Sequence, residues 1–230
     1  MIPLRDTIPS ARWPIINLSL IALNVLCFMY ELSLANLDQF IRVFGLVPAR
    51  LHSGSPAGTV ALFTSMFLHG SWLHLVGNML FLYIFGDNVE DRLGHLRYLC
   101  FYLLCGAAAG VAQAYAIPNS TLPMIGASGA VAGVTGAYFL FFPRARVVTL
   151  VPIFFYFQIV EIPAVVFLFL WFVMQLLYGM ATISAAGQAV GGVAWWAHIG
   201  GFVFGMIAAP LLAPAKRMRA VRVRGLSWRD

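Results

Sequence analysis

Gly126-Ala127-Ser128-Gly129-Ala130 lies inside an apolar stretch at about residues 122–142. A single serine among glycines and alanines leaves its hydroxyl with little steric cover, so another group can approach it closely. On its own, this stretch is better explained by packing, because small residues on one face let membrane helices come together. It also departs from the G-x-S-x-G pattern of soluble hydrolases, since Ala130 stands in place of the last glycine.

The composition is that of a membrane protein. Of 230 residues, 61% are hydrophobic and 10% are charged, and the mean hydropathy is +0.88. Soluble proteins average about 25% charged residues. The apolar runs approach the ~20 residues that a membrane-spanning helix needs, so we expect one all-α membrane domain. Three cysteines within apolar runs fit neither a disulfide framework nor a zinc site, and are interpreted as core residues: Cys27, Cys100 and Cys105.

Six apolar segments are candidates to cross the bilayer. The interval 31–59 mixes charges and prolines with apolar patches, so we expect an interfacial loop there. Pro152 and Pro163 argue against one straight helix over 147–180, because an interior proline breaks or kinks a helix. We therefore predict an irregular lead-in before the fifth span. The predicted spans are 13–30, 60–85, 98–116, 122–142, 163–178 and 193–212.

The positive charges predict the orientation. Six spans place both termini on one side, and that side holds all of the 14 Lys and Arg residues except Arg42 and Arg50. The positive-inside rule then predicts a cytoplasmic N-terminus at 1–12, a membrane domain at 13–213 and a basic cytoplasmic tail at 214–230. Anionic lipid accounts for the tail, so we expect the lipid bilayer as a partner and no nucleic acid.

This topology brings polar residues to one depth. The second, fourth and sixth spans all begin at the outer face. His69, Ser128 and His198 each fall within about the first third of a span, and His74 follows five residues after His69. At 1.5 Å per residue, Ser128 is expected roughly 10 Å below the outer interface. Polar groups inside a bilayer are costly, so a cluster at one depth indicates a functional site.

The residue types suit nucleophilic catalysis. A serine hydroxyl needs a base within hydrogen-bond reach, and His198 can supply it to Ser128 if the sixth span packs closely on the fourth. His74 and Asn78 are four residues apart on one helix face, where both can donate to a developing oxyanion. The glycines that would permit the close helix packing are Gly201 and Gly205.

Five segments carry a resemblance to a known family. They are HGSWLHLVGN at 69–78, GASG at 126–129, AHIGG at 197–201 followed by Gly205, EDRLG at 90–94 and FGLVP at 44–48. Together they resemble the rhomboid intramembrane serine proteases, and the resemblance extends from about residue 13 to residue 214.

The resemblance implies a six-helix rhomboid bundle with a serine–histidine dyad, no cofactor and no metal. It implies a transmembrane helix as substrate, entering sideways, and a place in the plasma membrane or a bacterial inner membrane. The roles carried over are Ser128 as nucleophile, His198 as base, His74 and Asn78 as oxyanion donors, and His69, Gly126 and Gly129 as supporting residues.

One position departs from the family pattern. Some rhomboids carry an aromatic residue one turn after the serine, where it stacks on the histidine, but this chain has Ala132. Another group must therefore restrain His198. Trp195 and Trp196 are candidates, and the sequence does not choose between them.

Three alternatives stay open at this stage. The first is a catalytically inactive rhomboid-like protein that binds transmembrane helices. The second is a transporter or channel, against which the sequence shows no inverted halves with paired broken helices. The third is a metal site on His69, His74 and His198, which would lack the carboxylate or thiolate ligands of common zinc hydrolases.

The acidic residues predict a dyad without an acidic third member. Under the predicted topology, the outer side holds only Glu31 and Asp38, both in the first loop. Glu161 is expected near the cytoplasmic end of the fifth span, far in depth from His198. No carboxylate is therefore expected to orient the imidazole.

Overall fold

Apolar helices of 18 to 22 residues dominate the computed structural model, which describes residues 1–153, 156–184 and 193–214. The predicted tail lies outside the described residues, apart from residue 214. In chain order the elements are β1 (Ile2–Asp6), α1 (Ile15–Leu32), α2 (Leu37–Phe44), α3 (Pro48–His52), α4 (Pro56–Thr64), a 3-10 turn (Ser65–Phe67), α5 (Trp72–Leu93), α6 (His95–Ala116), α7 (Ser128–Phe141), β2 (Arg146–Ile153), β3 (Tyr156–Pro163), α8 (Ala164–Ser184) and α9 (Trp195–Leu212).

Several of these helices are long and apolar enough to span a membrane. Within the described residues there are four, Ile15–Leu32, His95–Ala116, Ala164–Ala181 and Trp195–Leu212, and a fifth if α4, the 3-10 turn and α5 count as one bent span. Helix α7 has 14 residues, which gives about 21 Å of length against a hydrocarbon core of about 30 Å. The six-span arrangement and the cytoplasmic termini stay predictions.

The second predicted span is not one helix. The chain bends by 82° between Pro56–Phe67 and Trp72–Leu93, and His69 lies in the break rather than on a helix. Ser71 starts the new helix, because its side chain accepts a hydrogen bond from the backbone N–H of His74 at 3.2 Å. Helix α5 then continues eight residues beyond the predicted end at 85.

The fourth predicted span begins six residues late. Residues 122–127 are not helical, and Met124 instead pairs with Leu46 through two backbone hydrogen bonds of 2.9 and 2.7 Å. Pro123 has no N–H to give to a helix, and Gly126 has a φ of +127°, which interrupts a right-handed helix. Ser128 is therefore the first residue of α7. The predicted start of the fourth helix at residue 122 was therefore wrong, while Ser128 does lie within the first third of the helix.

The expectation of an all-α fold was also wrong in one region. The N-terminal segment and the lead-in to α8 form an antiparallel sheet in the order β1-β2-β3. The sequence RVVTLVPI of β2 is rich in β-branched residues, which favour strands. The pairing of β1 with β2 ends at Leu150, so the part of β2 that contains Pro152 pairs with β3 alone. A proline is tolerated at such an edge of a sheet.

The loop predicted to lie at the membrane interface contains short helices. Helices α2 and α3 both fall within it, and α4 starts there. Asn36 caps α2 by accepting a hydrogen bond from the Gln39 N–H at 3.1 Å. None of the residues of α2 is buried, which agrees with a helix lying on a surface rather than inside a bundle.

Helix α7 forms the centre of the bundle. Residues 129–138 are all buried, and α7 packs most extensively on α9. The two backbones meet at glycines: a Cβ atom on Gly201 would lie 2.1 Å from the Gly129 carbonyl oxygen, and one on Gly205 would lie 2.1 Å from that of Gly133. The predicted packing role of Gly201 and Gly205 therefore has a geometric basis, since no larger residue fits.

Gly205→Ala should destabilise the protein by about 1–3 kcal/mol, the range for overpacking a tight interior. The obstacle is a backbone oxygen of α7, which cannot move without the helix. The matched control is Gly77→Ala, where an added Cβ meets nothing within 4 Å and alanine favours the helix by about 0.5–1 kcal/mol. Thermal unfolding in detergent measures both variants. A Gly205→Ala protein as stable as the wild type would contradict the contact.

The N-terminal strand is tied to the bundle through Asp6. Its Oδ2 atom accepts hydrogen bonds from the Tyr138 hydroxyl of α7 at 2.5 Å and from Asn88 Nδ2 of α5 at 3.0 Å. Burial raises the pKa of Asp6 to about 6, the Tyr138 bond lowers it in part, and the nearby charge of Asp87 raises it further. The protonated form is thus the one that the folded protein favours.

A raised carboxyl pKa contributes stability below the unfolded value of 3.8, and this contribution is lost as the pH rises through about 6. Asp6→Asn removes the titration and keeps an oxygen acceptor. The melting temperature of Asp6→Asn relative to the wild type should therefore increase between pH 4 and pH 7.5. Asp38→Asn, on the exposed α2, serves as the control. A constant difference across this range would refute the assignment.

Candidate active site

The two residues predicted as nucleophile and base lie within hydrogen-bond distance. Ser128 Oγ and His198 Nε2 are 2.8 Å apart, although 70 residues separate them in sequence. Ser128 opens α7, and His198 lies in the first turn of α9. Both side chains are half-buried. The first glycine contact between α7 and α9 joins Gly129, which directly follows Ser128, to Gly201, three residues after His198. The same packing that joins the helices therefore brings the two side chains together.

A cavity of about 750 Å³ opens in front of this pair. Its size falls within the ~300–1,000 Å³ that is usual for ligand pockets. The segments before α7 and α9 form part of the wall, together with the start of α5 and the end of α6. The polar side chains that line it are Ser71, His74, Asn78, Gln113, Ser120, Ser128 and His198.

The two predicted oxyanion donors border this cavity, and His69 lies behind them. Asn78 Nδ2 donates to His69 Nε2 at 3.0 Å, so the proton of a neutral His69 ring is on Nδ1. The backbone N–H of His69 donates to both carboxylate oxygens of Glu31, at 3.2 and 3.3 Å. Glu31 is only 1% exposed, and it anchors the loop that carries His69. The supporting role expected for His69 stays a prediction, and its contact with Asn78 supports it.

Gly126 brings His74 close to the serine. A Cβ atom on Gly126 would lie 2.6 Å from His74 Nε2 and 3.7 Å from Ser128 Oγ. Its φ of +127° is rare for any residue other than glycine. Gly129, the other glycine expected to support the site, faces α6, where an added Cβ would lie 2.5 Å from Ala109 Cβ.

Helix α8 restrains the His198 ring, which the sequence did not reveal. Gln175 Oε1 lies 2.8 Å from His198 Nδ1. The Trp171 ring lies 5.9 Å from the imidazole with an interplanar angle of 35°, and the Trp195 ring meets it edge-on at 6.1 Å. Trp195, one of the two candidates from the sequence, is thus beside the ring. The sequence did contain a signal for Trp171 and Gln175, because the two are spaced i, i+4 on an apolar helix.

Gln113 of α6 holds the start of α9 in place. Its Oε1 atom accepts a hydrogen bond at 3.1 Å from the Ala197 N–H, which is shared with the Ala194 carbonyl oxygen at 3.0 Å. Ala197 directly precedes His198 in the chain. Sequence reasoning missed Gln113 as well, because a lone glutamine in a span has no characteristic motif.

The carboxylates that the sequence singled out lie away from the imidazole. Glu31 contacts the backbone of His69, Asp38 is exposed on α2, and Glu161 lies in β3 with Arg146 Nη1 at 3.4 Å. In the described part of the chain, no group of three or more His, Cys, Asp or Glu side chains is placed to hold a metal ion. Two of the three histidines have different side-chain partners, Asn78 for His69 and Ser128 with Gln175 for His198.

Comparison with known proteins agrees with the sequence resemblance. The family model described as "Rhomboid domain" matches residues 56–215. Rhomboid-like protein 11, chloroplastic, of Arabidopsis thaliana is 36% identical over 96 residues, which are 42% of this chain and 34% of that protein. Rhomboid protease AarA of Providencia stuartii is 30% identical over 137 residues, 53% of this chain and 49% of that protein. The chain thus spans less than half the length of these relatives.

Proposed function

The chain belongs to the rhomboid family, and we propose that it is a serine endopeptidase that cleaves transmembrane segments of other membrane proteins within the bilayer. The observation that carries the proposal is the 2.8 Å contact between Ser128 Oγ and His198 Nε2 at the edge of a 750 Å³ cavity. A hydroxyl paired with an imidazole in this way is the arrangement that activates a serine as a nucleophile.

The reaction follows from these two groups. Ser128 Oγ attacks the carbonyl carbon of the scissile peptide bond while His198 Nε2 accepts the hydroxyl proton. The imidazolium then donates that proton to the leaving amine, and an acyl-enzyme ester on Ser128 remains. In the second half, a water molecule gives its proton to His198 as its oxygen attacks the ester. Collapse of this intermediate releases the new carboxyl terminus and returns the proton to Ser128.

The tetrahedral intermediate carries a negative oxygen that needs fixed donors. We assign this role to His74 and Asn78. His74 Nε2 packs against Gly126, two residues before the serine. Asn78 Nδ2 has two hydrogens, and His69 accepts one of them. The second is free to serve the oxyanion, and the bond to His69 fixes the plane of the amide.

The location of the site among apolar helices supports a transmembrane segment as the substrate. A transmembrane helix hides its carbonyl groups in i to i+4 hydrogen bonds, so it must unwind locally before Ser128 can attack. The route that we propose is the seam between α5 and α8, where Phe81 faces Phe167 at 6.3 Å and Trp171 at 6.5 Å. We place the protein as a multi-pass protein in a plasma membrane or a bacterial inner membrane, with the bilayer and transmembrane proteins as its partners.

Ser128→Ala should abolish cleavage of a transmembrane test substrate in proteoliposomes and leave the melting temperature unchanged. A fluorophosphonate should modify Ser128 of the wild type, with the adduct located by mass spectrometry. Ser71 and Ser120 border the same cavity and have no histidine ring among their described partners, so they should stay unlabelled. Turnover in Ser128→Ala would remove the protease assignment, and a wild type that neither labels nor cleaves would favour an inactive helix-binding relative.

The carboxylates should matter little to the chemical step. Glu31→Gln, Asp38→Asn and Glu161→Gln should each keep most of the wild-type kcat/KM, because none of these groups contacts His198 in the described residues. Asn78→Ala should lower kcat/KM by about 10²-fold, as for a lost oxyanion donor. A loss near 10⁴-fold from any one carboxylate change, in a folded protein, would indicate a triad instead.

A further inference from the structure

Helices α8 and α9 meet through one continuous row of side chains. On α8 the row is centred on Gln175, and its other members lie three or four residues from Gln175, on the same face of the helix. Three of the contacts are between aromatic rings and one is a hydrogen bond. From the N-terminal end of α9, the pairs are Tyr178 stacked on Trp195 at 4.7 Å, Gln175 with His198 at 2.8 Å, Trp171 with His198 at 5.9 Å, and Phe172 stacked on Phe202 at 4.8 Å.

The amide of Gln175 has only one possible orientation in this row. Its Nε2 atom lies 3.1 Å from the backbone carbonyl oxygen of Trp171, which can only accept a hydrogen bond. The amide nitrogen must therefore be on that side, and the amide oxygen faces His198 Nδ1. Gln175 is 5% exposed, so water does not compete for either group.

An amide oxygen accepts and cannot donate, so Nδ1 of His198 must carry a proton. In a neutral imidazole, the other nitrogen is then an acceptor. That nitrogen, Nε2, lies 2.8 Å from Ser128 Oγ. The orientation of one glutamine thus fixes which end of the ring is able to take the serine proton.

We propose that Gln175 is the positioning residue of the dyad, holding His198 in the tautomer that can act as a base. The inference rests on the proposed function of Ser128 and His198. Gln175 touches neither Ser128 nor the proposed oxyanion donors among its described contacts, and it acts through the imidazole alone. It takes the place that a carboxylate holds in a Ser-His-Asp triad.

A neutral side chain suits this place. A buried carboxylate within an apolar helix is unfavourable unless it is paired. The amide supplies the same acceptor atom without that cost, and its bond to Nδ1–H persists when His198 becomes protonated. The rings of Trp171 and Trp195 limit the tilt of the imidazole, but they offer no acceptor that distinguishes Nδ1 from Nε2. Tautomer selection therefore comes from Gln175.

The test combines kinetics with a direct reading of the tautomer. Gln175→Met and Gln175→Leu remove the acceptor, and Gln175→Glu restores one at similar length. Met174→Leu is the matched control, because Met174 is the neighbouring residue and is exposed. For each purified full-length protein in nanodiscs, kcat and KM are measured on one transmembrane test substrate. The ¹⁵N resonances of His198 are recorded in parallel and assigned by their loss in His198→Asn.

The wild type and Met174→Leu should show Nδ1 protonated and Nε2 unprotonated. Gln175→Met and Gln175→Leu should shift the ring toward the Nε2-protonated form and lower kcat about tenfold, the order expected for one lost neutral hydrogen bond. KM should change less than twofold. Gln175→Glu should keep the wild-type tautomer and recover most of kcat.

Two results would overturn the inference: an unchanged His198 tautomer in both non-bonding variants, or an equal loss of kcat in Gln175→Glu and Gln175→Met. The second result would mean that the residue only packs. A tautomer shift in Gln175→Met, in a protein whose wild type cleaves nothing, would support the positioning role and reject the protease. Cleavage by the wild type with no tautomer shift in the variants would support the protease and reject the positioning role.

Discussion

The site depends on direct contact between the backbones of α7 and α9. Any side chain at Gly201 or Gly205 would meet a carbonyl oxygen of α7 at 2.1 Å, so a larger residue at either position would hold the helices apart. Ser128 and His198 each lie in the first turn of one of these helices, next to the contact. The distance between Ser128 and His198 is therefore set mainly by the backbone, which varies little. The torsions of long side chains contribute less to it. In a bilayer this kind of packing is a main source of helix association, since lipid offers no hydrophobic driving force.

Much of the site could be predicted because its polar residues lie in otherwise apolar segments. Serine, histidine and asparagine stand out in apolar segments, and the glycines that pack α7 on α9 have helical spacing. The length of each apolar run also located α1, α6 and α9 to within three residues at either end, and the start of α8 to within one residue, although α8 ends at Ser184 rather than at 178. Gly126 and His74 belong to recognisable motifs, although only the structure shows that one leaves room for the other.

The features that sequence reasoning missed depend on partners that are distant in the chain. Residues 122–127 are not helical, and Met124 among them pairs with Leu46; the N-terminal strand likewise exists because Ile2 pairs with Leu150. Neither pairing has a local pattern, and prolines in β2 and β3 suggested irregular chain instead. Gln175 was missed for a similar reason. A glutamine in a membrane helix has a clear purpose only once its partner on another helix is known.

Trp171 lies near rings on both α5 and α9, and this links access to the site with its chemistry. Its ring lies 6.5 Å from that of Phe81 across the seam with α5 and 5.9 Å from the imidazole of His198. In a protease whose substrate passes between α5 and α8, the helix that yields to the substrate also carries the amide that holds the imidazole. Displacing α8 would draw Gln175 away from Nδ1, so the base is disengaged while the passage is open. In such a protease, a passing helix would meet an activated serine only after α8 had returned to its place.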